Sequence, residues 1–243
     1  MSRSYLIIIA SAFGIFTLFA IGYDWHYDEA WSYQAVAENS PWQILTYSPY
    51  HFANNHLLNS FWLKTSQTLG IYNLLFFRAL SLISGFVFLY FTAILFSSKN
   101  VASWKYLAIL VAPYAVFFGN ERCYALSLAL SSVAIYLISR YQASSSLKSI
   151  VLATIWLSIS TLSNFSFVFF NTSLLAILGL WLLKNGHTKH LIAILLIYSL
   201  PLVYTVIIGS QISQSDVYII GSSSIIETPK ELIGQLAFTK TWG

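Results

Sequence analysis

The sequence is poor in charge. Lys, Arg, Asp and Glu make up 8% of its 243 residues, whereas a soluble domain carries about 25%. Hydrophobic residues make up 57% of the chain, so too few polar side chains are present to cover a water-facing globule. The apolar residues also come in long runs between short polar stretches. This pattern is typical of an α-helical protein that crosses a membrane several times.

Cysteine and clustered basic residues are also scarce. Cys123 is the single cysteine of the sequence, which excludes an internal disulfide and a metal cluster built from cysteines. The net charge of +4 comes from scattered Lys and Arg rather than from a basic tract. We therefore expect no nucleic-acid partner.

Seven apolar runs are predicted to cross the membrane, since one crossing needs roughly 20 apolar residues. They are Ser4–Gly22, Tyr72–Phe96, Tyr106–Gly119, Cys123–Ser139, Ile150–Ser163, Phe165–Leu183 and Leu191–Gly209. We interpret the first as a retained span, because it is longer than the roughly 7–15 apolar residues of a signal peptide. A turn near Ser163-Asn164 is predicted to separate the fifth span from the sixth.

The distribution of Lys and Arg predicts the orientation of these spans, because cytoplasmic loops are enriched in both. Seven spans with a cytoplasmic N-terminus place one set of basic residues inside: Arg3, Lys99, Lys105, Arg140, Lys148, Lys184 and Lys189. The predicted organisation is a membrane module over residues 1–209 with a long outer loop at 23–71. An outer segment at 210–243 follows it.

Two short helices are predicted within the first outer loop. Ser40 is a suitable N-cap for a helix over Pro41–Tyr47, since proline is favoured at the first helical position. The apolar residues of Asn55–Leu69 indicate a second helix that lies along the membrane surface. The predicted fold class is an all-α polytopic membrane protein with about seven spans and short interfacial helices.

Ionisable side chains come together at the outer level of this topology: Asp28, Glu29, Arg78, Glu121 and Arg122. Ionisable groups at membrane depth are costly and tend to be functional. Structural alternatives remain open, because the acids can be solvated and an arginine can pair with a neighbouring acid or reach lipid headgroups. His26, His51 and His56 share the first outer loop, but their spacing matches no compact zinc motif.

Four motifs occur in a characteristic order along the chain. Asp28-Glu29 follows the first span, and Asn54-Asn55-His56-Leu57-Leu58-Asn59 comes second. Phe77-Arg78-Ala79-Leu80-Ser81-Leu82 starts the second span, and Asn120-Glu121-Arg122-Cys123-Tyr124-Ala125-Leu126 precedes a later one. Together these motifs resemble the GT-C superfamily of membrane glycosyltransferases, in particular its family 39 and aminoarabinose-transferase-like bacterial branch. The resemblance covers Met1 to about His190, and His56 stands where relatives often have Lys-Pro-Pro-Leu.

The resemblance implies an enzyme of the bacterial inner membrane that takes a sugar from a polyprenyl-phosphate donor. Transfer to an acceptor would occur on the outer face with inversion, and the GT-C-like module would hold the donor's tail in an apolar groove between spans. Asp28 matches the catalytic position and would act as general base, while Glu29 would orient it or bind the acceptor. Arg122, with His56 and Arg78, would bind the donor phosphate, because a guanidinium fork suits phosphate oxygens.

Further residues complete the predicted substrate and acceptor site: Tyr27, Trp31, Tyr33, Asn55, Glu121 and Tyr124. No dedicated metal site is predicted, although Mg²⁺ or Mn²⁺ bound through oxygens of Asp28, Glu29 and Glu121 stays an open hypothesis. Members of the superfamily usually continue with several more helices or a soluble domain. The resemblance therefore implies that a chain ending at Gly243 in an outer segment is a truncated product, or half of a split enzyme with a partner subunit. Two other functions stay open: a transporter or lipid flippase, and a non-catalytic lipid-binding scaffold in the bilayer.

Overall fold

The computed structural model describes residues 1–22, 27–47, 56–106, 118 and 123–214, without the side chains of 27, 28, 31, 104, 123 and 212–214. All regular structure within these ranges is helical, which confirms the all-α prediction. The helices are α1 (Arg3–Gly22), α2 (Tyr27–Glu38), α3 (Pro41–Thr46), α4 (Leu57–Thr68), α5 (Leu74–Ser98), α6 (Ser103–Tyr106), α7 (Cys123–Ser144), α8 (Leu147–Ser163), α9 (Phe167–Lys184) and α10 (Thr188–Gln214).

Among the residues that the structure describes, five helices are long and apolar enough to cross a membrane. They are α1, α5, α9, Tyr124–Ser144 of α7 and Thr188–Gln211 of α10. Helix α8 is apolar but has 17 residues, and it corresponds to the fifth predicted span. Of the third predicted span, Tyr106–Gly119, only Tyr106 and Phe118 lie within the described residues, so the count of seven spans stays a prediction.

The predicted turns and caps of the described helices are confirmed. Helix α8 ends at Ser163, and the side-chain oxygen of Asn164 accepts a hydrogen bond from the Ser166 amide at 3.0 Å. The Ser40 hydroxyl accepts from the Gln43 amide at 3.3 Å, and the Gln43 side chain accepts from the Ser40 amide at 2.8 Å. This reciprocal pair is a capping box, which satisfies two amides that the start of a helix leaves unpaired.

Helix α2 was not predicted. Tyr27–Glu38 was assigned to the outer loop, yet it forms a helix of 12 residues. The segment contains no Gly or Pro, and three alanines favour a helix. Its apolar residues do not recur with a helical period, so the usual amphipathic signal is missing. Asp28 and Glu29 lie in the first turn, where the helix dipole favours negative charge.

The ends of the long helices form two groups at opposite ends of the bundle. At one end, Arg78 of α5 donates to the Ala20 carbonyl of α1, and Phe165, which precedes α9, stacks on Tyr47. We call this the Glu29 end, after the residue of α2 that forms an ion pair with Arg78. At the other end, the Tyr5 hydroxyl of α1 donates to the Val101 carbonyl at 2.5 Å. There the hydroxyl of Tyr141 in α7 also contacts His190 Nδ1 of α10 at 2.6 Å, and we call this the His190 end.

A buried polar network joins α7, α8, α9 and α10 within the bundle. Its centre is Asn171 of α9, which is 0% exposed. Asn171 Nδ2 lies 3.2 Å from the Leu157 carbonyl, 3.1 Å from Ser160 Oγ and 3.0 Å from Thr161 Oγ1. Its Oδ1 accepts from Ser131 Oγ at 3.2 Å. Thr161 Oγ1 also lies 3.0 Å from the Tyr198 hydroxyl of α10. Hydrogen bonds between membrane helices contribute to their association, so this network fixes four helices relative to one another.

Candidate functional site

Glu29 and Arg78 form a buried bidentate ion pair at the Glu29 end. Arg78 Nε donates to Glu29 Oε1 at 3.0 Å, and Arg78 Nη2 donates to Oε2 at 2.6 Å. Both side chains are 0% exposed. Two parallel N–H···O bonds between a guanidinium fork and a carboxylate are both strong and directional. The pair therefore fixes the relative orientation of α2 and α5.

The helix termini around the pair explain why it forms here. Helix α1 ends at Gly22, so the Ala20 carbonyl lies in the last turn, where carbonyls lack an amide partner within the helix. Arg78 Nη1 donates to this carbonyl at 2.7 Å. Glu29 is the third residue of α2 and lies near the positive end of its dipole. Each buried charge thus has a second partner besides the ion pair, which offsets part of its desolvation cost.

The predicted general base, Asp28, immediately precedes Glu29 in the first turn of α2. Its side chain lies outside the described part of the chain, as do those of Tyr27 and Trp31. Three further predicted site residues lie wholly outside the described ranges: Asn55, Glu121 and Arg122. The proximity of an outer-loop acid to Arg122 therefore stays a prediction.

The contacts of Arg78 and Glu29 bear on two of the predicted roles. Arg78 is fully buried and bonds with Glu29 and Ala20, so these contacts give no support to phosphate binding by Arg78. Glu29 does not fit a Mg²⁺ or Mn²⁺ site, because both of its oxygens contact a cation already. Within the described residues, no group of three or more His, Cys, Asp or Glu side chains could hold a metal ion.

His56 and Tyr124, which come from two different motifs, contact each other. His56 is the N-cap residue of α4, and its ring lies edge-on to the Tyr124 ring with centroids 5.5 Å apart. Tyr124 is the second residue of α7. The fold thus brings the second and fourth motifs together, just as Glu29 and Arg78 join the first and third.

Tyr33 belongs to the same end of the bundle. Its ring packs against Phe77, the neighbour of Arg78, with centroids 5.1 Å apart. Burial, with a smaller contribution from Tyr72, raises the pKa of the Tyr33 hydroxyl above its ordinary value. Phe77 also shares an apolar cluster with Leu57, which follows His56. This cluster connects both motif contacts through one packed layer of α2, α4 and α5.

An apolar cleft of about 430 Å³ opens between α5, α7 and α9. Its lining includes Phe88, Leu95, Leu128, Ser131 and Phe167. The volume falls within the roughly 300–1,000 Å³ of small-molecule sites. Phe88 to Leu95 span about 10 Å along α5 at a rise of about 1.5 Å per residue, so the cleft follows the long axis of the helices. The sequence did not indicate which helices would form it.

Comparison of the chain with protein-family models, with curated proteins and with solved structures found no match. The part of the chain that the structure describes is all-helical, and its five long apolar helices are those of an α-helical membrane protein. Its four sequence motifs are represented at one end of the bundle by Glu29, His56, Arg78 and Tyr124.

Proposed function

We propose that the protein is a GT-C-type membrane glycosyltransferase. It moves a sugar from a polyprenyl-phosphate donor to an acceptor on the outer face of the bacterial inner membrane, with inversion. One observation carries this proposal: two direct contacts, Glu29–Arg78 and His56–Tyr124, pair residues of all four motifs. Members of these pairs lie far apart in sequence, so helix packing rather than local sequence brings them together.

The proposed chemistry assigns one role to each charged group. Asp28 takes the proton from the acceptor hydroxyl as this oxygen attacks the anomeric carbon. Arg122 holds the donor phosphate, on which negative charge builds as the bond to the sugar breaks, and His56 is a second hydrogen-bond donor. Arg78 neutralises Glu29, which reduces the repulsion between the acidic pair and the incoming phosphate.

The apolar cleft supports a lipid-linked donor. Its lining includes Ser166 and Phe167, which lie at the start of α9 and therefore at the Glu29 end. From there the cleft runs toward Leu95 of α5 between membrane-crossing helices. The lining of α7 begins at Leu128, about 6 Å along that helix from Tyr124, so a lipid-linked donor that enters the cleft from the bilayer has its polar end toward the candidate site.

The described residues on either side of the third predicted span support seven crossings. Tyr106 packs against Tyr5 and Phe96 toward the His190 end, whereas Tyr124 lies at the Glu29 end against His56. Phe118, described between them, packs against Phe16 of α1 and Phe88 of α5, with centroids 4.9 and 5.4 Å apart. With seven crossings and the positive-inside rule, the His190 end is cytoplasmic and the Glu29 end faces outward.

Transfer activity tests the proposal directly. The purified protein in lipid nanodiscs is incubated with a panel of radiolabelled polyprenyl-phosphate sugars and lipid or glycan acceptors, and sugar transfer is measured. Asp28→Asn should lose at least about 100-fold in rate, since a general base contributes roughly 10²–10⁴-fold. Glu38→Gln, an exposed acid on the same helix, is the matched control and should keep the wild-type rate. Wild-type transfer by Asp28→Asn, or no donor consumed from the panel, would contradict the proposal.

A non-catalytic lipid-binding scaffold is the second candidate. It is favoured by the complete burial of Glu29 against Arg78, because an acid committed to an ion pair contributes to stability without any chemistry. A scaffold binds polyprenyl phosphate without turnover and does not respond to Asp28→Asn. A transporter needs ionisable groups near mid-membrane, whereas the buried charged residues among those described, Glu29 and Arg78, lie at one end of the bundle.

A further inference from the structure

We propose that Arg78 is a positioning residue: it fixes the first turn of α2 and removes Glu29 from proton exchange, which assigns proton transfer to Asp28. The assignment to Asp28 depends on the proposed function. The positioning of Glu29 by Arg78 does not, because it follows from the geometry of the buried pair.

Arg78 connects three helices through one rigid group. Its guanidinium bonds Glu29 of α2 in two places and the Ala20 carbonyl of α1 in a third, while its own backbone belongs to α5. The guanidinium is planar, so bonds on two of its edges set the direction of both partners. The end of α1 and the start of α2 are therefore held in one orientation, and Asp28 lies in that same first turn.

The ion pair with Arg78 also keeps Glu29 ionised. Glu29 and Arg78 are both 0% exposed, so protonating the carboxylate would leave a buried guanidinium without its counter-charge, which is strongly unfavourable. Glu29 therefore stays ionised and does not exchange protons during turnover. Of the two adjacent acids, Asp28 is therefore the one that acts as the general base.

Carboxyl labelling tests the positioning without any activity assay. Dicyclohexylcarbodiimide is an apolar reagent that reacts with protonated carboxyl groups, and peptide mass spectrometry locates the adduct. In wild-type protein at pH 7, Glu29 should remain unlabelled. In Arg78→Gln the buried Glu29 loses its counter-charge and takes up a proton, so its labelling should rise at least tenfold. Equal labelling of Glu29 in both proteins would overturn the proposal.

Two further variants guard against a failure to fold. Glu29→Gln/Arg78→Gln removes both charges at once. It is the reference for the fold without the ion pair, and it has no carboxyl group at position 29 to label. Arg78→Lys keeps the charge but loses the planar fork, and it should show intermediate Glu29 labelling. If Arg78→Gln does not fold, Arg78→Lys carries the test: labelling above wild type supports the proposal, and labelling at the wild-type level overturns it.

Kinetics distinguish positioning from phosphate binding. With Arg78→Lys, a positioning role predicts a kcat at least about tenfold lower and an unchanged KM for the polyprenyl-phosphate donor. A raised donor KM with unchanged kcat would overturn the positioning role in favour of direct phosphate contact. Absence of transfer by the wild-type protein would refute the proposed glycosyltransferase, while the labelling result would still decide the role of Arg78.

Discussion

Replacing Asn171 by alanine should destabilise the protein measurably. Asn171 takes part in four hydrogen bonds, with Leu157, Ser160, Thr161 and Ser131. Side-chain hydrogen bonds within membranes average roughly 0.6 kcal/mol, so the loss of four predicts about 2 kcal/mol. Asn171→Ala should lower the free energy of unfolding by that amount.

The remaining members of the network limit the loss to this size. Ser160 Oγ still donates to the Ser127 carbonyl at 3.0 Å, and Thr161 Oγ1 still donates to the Leu157 carbonyl at 3.0 Å. These groups keep a partner, so the larger penalty of a buried unpaired polar group is not added. Ser131 also keeps a partner, because its Oγ lies 3.0 Å from Ser160 Oγ.

Reversible unfolding in mixed micelles, followed by circular dichroism, measures this change. Ser199→Ala is the control, because Ser199 is exposed and its hydroxyl donates to the Leu196 carbonyl of the same helix. The free energy of unfolding of Ser199→Ala should lie within about 0.5 kcal/mol of the wild-type value, as is usual for surface substitutions. A change below about 0.5 kcal/mol for Asn171→Ala would refute the reasoning that the network holds α7–α10 together.

Two further predictions concern packing. A Cβ at Gly85 would lie 3.0 Å from the Phe118 ring, so Gly85→Ala should cost about 1–3 kcal/mol of unfolding free energy. Gly14→Ala is the control, because no atom lies within 4 Å of the added carbon, and it should not lower the free energy of unfolding. A similar loss in both variants would contradict the close packing of Gly85 against Phe118. Leu128→Trp should fill the cleft and reduce binding of radiolabelled polyprenyl phosphate at least tenfold. Its free energy of unfolding should stay within about 1 kcal/mol of wild type. Unaltered binding would show that the cleft does not hold the lipid.

The helices that could be predicted are those with strong local signals. Long apolar runs predicted α1, α5 and α9 to within two residues at each end, because membrane crossing imposes both length and composition. The Ser40 cap followed from side-chain chemistry within a few residues. The Asn164 turn followed from the length of the apolar run 150–183, which as one helix would be about 50 Å long and exceeds one membrane crossing. Each of these features is determined by neighbours in the sequence, so no knowledge of the packing was needed.

The features that escaped prediction depend on distant contacts. Helix α2 lacks an amphipathic period, and its first turn is held by Arg78 from α5. The sequence placed Glu29, Arg78 and two other charged residues at one level with Asp28, but it could not show which acid the arginine would bind. The Asn171 network was hidden for the same reason, since single polar residues in apolar helices do not reveal their partners.

The proposal depends most on the two ends of the bundle facing opposite sides of the membrane. Cysteine accessibility tests this with Glu38→Cys and Asn185→Cys in a Cys123→Ala background, since both positions are exposed and lie in α2 and at the α9–α10 turn. A membrane-impermeant maleimide added to intact cells with a permeabilised outer membrane should label the Glu38→Cys variant. The Asn185→Cys variant should react only after lysis. Labelling of both from the same side, or the reverse pattern, would contradict an outward-facing site.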